Sequence, residues 1–145
     1  MSPTETKPRA ARVARIVGPD GGRRYGMGRM RARFLADGAE TDDRYSISEW
    51  WLEPRSHGPG VHSHDEDHVY YVLTGTVSVL IGGAWVAAER GSAALIPGGT
   101  PHDFENRGTV ECGFLVINVP GGFEEDLPDI VRWFEEQPIT DVTGD

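Results

Sequence analysis

The chain contains a single cysteine, Cys112, so no disulfide can close within it. A lone thiol fits a reducing cytoplasm, and its place inside an apolar run reads as a core residue, not a nucleophile. Long apolar runs are also missing. No stretch of roughly eighteen apolar residues exists, and the N-terminus has no apolar signal core. A membrane-spanning helix is thereby excluded, and a soluble, unexported, cytoplasmic protein is predicted.

Basic charge is scarce in the longer part of the chain. Residues 51–145 carry four basic and sixteen acidic side chains, against ten and seven in residues 1–50, for a net charge of −9. Such a balance argues against a nucleic-acid surface, which needs cations to neutralise phosphates. Residues 1–50 show no helix-turn-helix pattern that would mark an attached regulatory segment.

What is plentiful is turn chemistry. Nineteen Gly and ten Pro among 145 residues, with 38% apolar content, indicate one small domain of many short strands. Three of the five histidines, His62, His64 and His68, fall within seven residues. Along a strand successive side chains alternate faces, so His62 and His64 project to one side and can grip one ion. A fourth imidazole, His102, follows a Pro/Gly-rich turn. Neutral imidazole is the usual nitrogen ligand for first-row metals. Glu66 shares the parity of His62 and His64 if the strand runs unbroken, and is a competing carboxylate ligand.

These residues carry a family resemblance. From Gly60 to Asn106 the chain resembles a cupin through both motifs of that family. His62, His64 and Gly75 fill the first motif at the family's spacing, and Gly91, Pro97, Gly99, His102 and Asn106 fill every place of the second. The departure is His68, which stands where the family usually has Glu. The resemblance implies an all-β fold, the double-stranded β-helix or jelly-roll barrel of cupins, here with a short C-terminal helix. It also implies a ligand set of His62, His64, His68 and His102 around one divalent transition metal ion, with Fe, Mn, Ni, Cu and Zn all compatible. Four neutral ligands would leave that ion its full charge, making it a stronger Lewis acid that attracts anionic ligands.

In chain order, residues 1–11 read as a flexible polar tail, 12–136 as the single domain and 137–145 as a C-terminal tail. Val13 to Val17 reads as a short edge strand. Arg29, Arg31 and Arg33 alternate with Met30, Ala32 and Phe34, the pattern of a half-buried strand with a solvated arginine face. Asp37 to Asp43 reads as an acidic turn. In the strand Tyr45 to Leu52, adjacent Trp50 and Trp51 must face opposite ways, and the outward one is a candidate for covering by a second subunit. His57 reads as a loop histidine. His68, Tyr70 and Val72 share a face, as do His102, Phe104 and Asn106. Gly82 and Gly83 signal a hairpin. Phe123, Leu127, Ile130, Val131 and Phe134 recur at helical spacing before Pro138.

Tyr70 and Glu66 are the candidate acid–base groups if they face inward. The leading expectation is a metal-dependent dioxygenase acting on a small anionic enol or aromatic substrate. A redox-neutral isomerase or cyclase of polyketide-like substrates and a non-catalytic small-molecule-binding module are the alternatives. A homodimer is expected, with no nucleic-acid and no membrane partner.

Overall fold

The computed structural model describes residues 12–143, so the N-terminal tail expected over residues 1–11 lies outside the described residues. Nine strands form two antiparallel sheets among them. The strands are β1 (Arg23–Met27), β2 (Met30–Ala36), β3 (Ser46–Leu52), β4 (Asp67–Thr74), β5 (Thr76–Ile81), β6 (Ala84–Glu89), β7 (Ala93–Ile96), β8 (His102–Glu105) and β9 (Cys112–Val119). Six pair in the order β1-β2-β3-β9-β4-β7, and three in the order β6-β5-β8. This is the jelly-roll architecture expected from the sequence. It carries a single helical turn, α1 (Gly38–Thr41), and a short helix, α2 (Leu127–Glu135), near the C-terminus.

The alternation of the sequence becomes two faces. In β3, Ser46, Ser48, Trp50 and Leu52 point inward, and in β4 His68, Tyr70 and Val72 do so. Between the sheets Phe34, Leu52, Val77 and Phe114 are wholly buried, and an aromatic chain runs through ring contacts from Phe34 to Trp50, Phe104, Phe114 and Tyr70. Most of these are edge-to-face pairs, the arrangement that ring quadrupoles prefer. Cys112 is wholly buried there, and desolvation pushes its thiol up to about 12, so it stays a protonated core residue.

The arginine face lies outside the sheet as expected, but its members are paired. Arg29 meets Asp141, Arg31 meets Glu111 and Arg33 meets Glu49. Two local readings differ. Val13 to Val17 forms no strand, while the unanticipated β1 pairs with β2 through a tight turn at Gly28, whose φ is +61°. The acidic turn over Asp37 to Asp43 is where α1 forms.

Buried Asp37, just before α1, accepts the N–H groups of Gly122 and Glu124, while Glu124 accepts from Arg23 and from the Tyr25 hydroxyl. These bonds pin the 3-10 turn Phe123–Asp126, and so α2, against β1 at one end of the barrel. Past α2, Val142 is buried and its N–H donates to the Arg55 carbonyl.

Candidate metal centre

The four histidines meet at the end of the barrel that α2 covers. His62 and His102 pair backbone to backbone, 3.0 and 2.8 Å in the two directions, as an isolated bridge. The Gly99 N–H donates to the His64 carbonyl at 2.7 Å, and Gly98 N–H to the Asp67 carboxylate at 2.8 Å. Gly98 has to be glycine for this docking, because a Cβ there would stand 2.2 Å from the Asp65 carbonyl oxygen. The two histidine-bearing segments are thus stitched into one wall.

Ring centroids lie 4.3 Å apart for His62 and His102, 4.9 Å for His62 and His64, 5.0 Å for His64 and His68, and 5.2 Å for His68 and His102. The donor atoms fall into two triads sharing His64, His62–His64–His102 and His64–Glu66–His68, each with its atoms within 4.8 Å of one another. Glu66 therefore approaches His64 and His68 as its parity predicts, although ladder pairing of β4 begins only at Asp67. It is half-buried and does not line the cavity, whereas all four histidines do.

Each inner-wall ring is held from behind. Nδ1 of His62 meets the Gly60 carbonyl at 2.7 Å, Nδ1 of His102 the Thr100 carbonyl at 2.8 Å, and Nδ1 of His68 the Asn118 side-chain oxygen. Nε2 of His68 and of His102 are then buried with no partner among the described residues. Unsatisfied buried nitrogens are costly, so two of them within a cluster of four imidazoles fit a bound cation, and outward bonds of this kind are what orients metal-ligating histidines. Desolvation, reinforced at His64 by its neighbouring rings, pushes His64 and His102 down to about 4, and desolvation lowers His68 as well. All three are neutral, the form that ligates, at physiological pH.

The cavity in front of the rings has a volume of about 230 Å³. Trp50, Phe104, Phe114 and Phe123 form its walls, and Ile130, Trp133 and Phe134 of α2 its roof. Among the described residues, no Lys, Arg, Asp or Glu lines it. Trp50 Nε1 is already committed to Ser48 Oγ and the Asn118 amide to Ser46 and His68. Tyr70 is buried against His102, as expected of the inward aromatic, and desolvation raises its hydroxyl further above its ordinary value, so it stays a neutral phenol. Asn106, placed by parity on the same wall as His102, instead ties loops together away from the cavity, donating to Leu52, Glu53 and Val110 carbonyls. His57 stands in the loop, outside this cavity, 3.8 Å from Glu105.

The chain matches the cupin-domain family over residues 48–118. A structure from Thermus thermophilus, that of TT1209, is 33% identical over 54% of this chain and 74% of that one, with a TM-score of 0.51. The chain belongs to the cupin superfamily. An RmlC-like cupin from Shewanella frigidimarina superposes with a TM-score of 0.67 at 15% identity, over 78% of this chain and 96% of that one. The polyketide cyclase RemF from Streptomyces resistomycificus is 25% identical over 81% of this cupin and 73% of its own chain, with a TM-score of 0.57. No curated protein matches the sequence. No helix among the described residues is long and apolar enough to cross a membrane.

Proposed function

We propose that this cupin is a metal-dependent enzyme acting on a small enolic or aromatic substrate that chelates through oxygen. His62, His64, His68 and His102 hold one divalent ion, which supplies Lewis acidity and, for Fe, Mn, Ni or Cu, redox chemistry. The observation that carries the reading is the composition of the cavity: clustered imidazoles facing apolar and aromatic walls, with no charged side chain in its lining among the described residues. A sugar phosphate or a dicarboxylate would need a cationic side chain for each anionic group beyond the one at the ion. A flat apolar body with a single chelating end needs none.

The residues divide the work. Trp50, Phe104 and Phe114 clamp the body of the substrate, and the α2 roof excludes water, strengthening electrostatic interactions inside. Tyr70, held as a phenol, can donate a hydrogen bond or a proton to a substrate oxygen, but it is a poor base at neutral pH. Glu66, outside the cavity lining but beside His64 and His68, is the nearest carboxylate that could take a proton from an arriving enol.

Oxidative cleavage by O2 is the first reading: His62, His64, His68 and His102 would hold the ion, and Fe, Mn, Ni or Cu there would supply the redox chemistry that O2 requires. Redox-neutral cyclisation is the second, supported by the likeness to a polyketide cyclase. An oxygen electrode and product mass decide between them. Protein loaded in turn with Fe, Mn, Ni, Cu and Zn is given catechols, flavonols and enolised diketones. O2 uptake with products that together have gained two oxygen atoms supports cleavage, and a product isomeric with the substrate, or lacking only water, supports cyclisation. Metal-dependent binding with no product across the panel leaves a binding module and overturns both.

The proposal includes a cytoplasmic homodimer. Trp50 faces inward as alternation requires, but the outward Trp51, expected to be covered by a second subunit, is half-buried against Gly113 of its own chain, and the Ile130 and Phe134 side chains pack onto the barrel. The outer face of β4 and β7 carries the apolar residues instead, with Leu95 71% and Tyr71 44% exposed beside Val69. Sedimentation showing a monomer at micromolar concentration overturns this part.

A further inference from the structure

The nitrogens behind the cavity are not all held by the same kind of group. His62 and His102 face backbone carbonyls, which only accept, so both rings carry their proton on Nδ1. His68 faces the side-chain amide of Asn118, which has a donor end and an acceptor end. Its tautomer therefore depends on which way that amide points.

Ser46, Asn118 and His68 are direct cross-strand neighbours on β3, β9 and β4, and all three are buried. Asn118 Nδ2 donates to Ser46 Oγ at 3.0 Å, and Oδ1 faces His68 Nδ1. The His68 proton then belongs on Nδ1, and its partnerless Nε2 offers a lone pair to the cavity. With the amide reversed, Ser46 would donate to it, Nδ1 of His68 would accept, and Nε2 would carry a proton that blocks ligation.

The Glu usual at this place in the family has no such requirement, since any lone pair of a carboxylate can ligate. A histidine there must have its tautomer chosen. We propose that Asn118, through its Oδ1, is a positioning residue that fixes His68 as the Nδ1–H tautomer and so makes it a competent metal ligand. The inference rests on the reading of His68 as a ligand given under Proposed function.

Two measurements test it independently. Nitrogen-15 NMR of the metal-free protein at neutral pH should find the His68 proton on Nδ1. Competition with a chromophoric chelator for Zn2+ should find Asn118→Leu with Ser46→Ala about 10- to 100-fold weaker than the parent, the usual cost of losing an outer-shell partner. Asn118→Asp, which keeps an acceptor, should restore binding. If the double variant is unfolded by circular dichroism, Asn118→Ala alone, which removes the acceptor, should weaken Zn2+ binding and leave His68 in mixed tautomers. A proton on Nε2 in the parent, or a folded variant lacking the acceptor that binds Zn2+ as tightly as the parent, overturns the inference. A parent that binds no Zn2+ sinks the metal reading, while the NMR result still decides the role of Asn118.

Discussion

The ring of Trp51 lies directly over Gly113, its partner across the β3–β9 ladder: a Cβ on Gly113 would come within 2.2 Å of the ring. Arg31 stacks on the same indole with its guanidinium carbon 5.9 Å from the ring centroid. The outward tryptophan is thus covered within its own chain. Gly113→Ala should destabilise the protein by about 1–3 kcal/mol through overpacking, visible as a lower Tm. In a Trp51→Ala background that cost should largely vanish, and a cost that persists there would show the ring is not what the glycine accommodates.

The buried histidines make stability depend on pH. His64 and His102 have folded values near 4 against ordinary values of 6.5, so the unfolded chain takes up protons first as pH falls. Stability is then fully present above about 6.5, and it is lost progressively as pH falls toward 4. Burial raises the Asp37 and Asp103 carboxyls, which act in the opposite sense nearer the ordinary carboxylate range. Melting curves of metal-free protein should show a Tm that drops across this window, and His64→Gln or His102→Gln should flatten the drop. A Tm independent of pH between these limits would contradict the burial of neutral imidazoles.

Much of this was legible in the sequence because it depends on spacing. The two histidine motifs, the inward set of His68, Tyr70 and Val72, and the apolar stripe from Phe123 to Phe134 are periodic, and the fold keeps their order. What spacing cannot give is the identity of the covering surface. The outward tryptophan, Trp51, reads as exposed because its partner, Gly113, is remote in sequence. The β1 strand escapes a reading by periodicity because Arg23, Arg24 and Gly26 hide the alternation that pairing with β2 supplies. The failure of Val13 to Val17 as a strand has the same origin, since an apolar run with no ladder partner has nothing to pair with.

Asn106 closes the second histidine motif, yet its work is structural. Its side-chain amide donates to three carbonyls, at 2.8 to 3.1 Å, and its oxygen accepts from the Gly108 N–H at 2.9 Å. Asn106→Ala leaves several backbone groups with no partner in a buried place, each costing about 1–3 kcal/mol. Denaturant unfolding should find a loss of several kcal/mol, while Zn2+ affinity of the folded fraction stays at the parent level. A selective loss of metal with unchanged stability would return Asn106 to the cavity wall.

His68 and Glu66 compete for one place in the ligand set, since both approach His64 in the same triad. Three features favour His68. It is 3% exposed, its Nε2 is partnerless, and its Nδ1 is already anchored, so little ordering remains to be done when an ion binds. Glu66 is only half-buried and lies outside the cavity lining, so water solvates its carboxylate in competition with any ion. His68→Ala should therefore weaken metal binding strongly, and Glu66→Ala should leave it near the parent value. Because Glu66 is the only carboxylate in either triad, its removal should also leave metal binding no more salt-dependent than before. Metal content after dialysis against a chelator, measured by atomic emission, separates the two. Retention in His68→Ala together with loss in Glu66→Ala would assign the fourth ligand to the carboxylate, and would leave the ion one unit less positive than an all-imidazole set makes it.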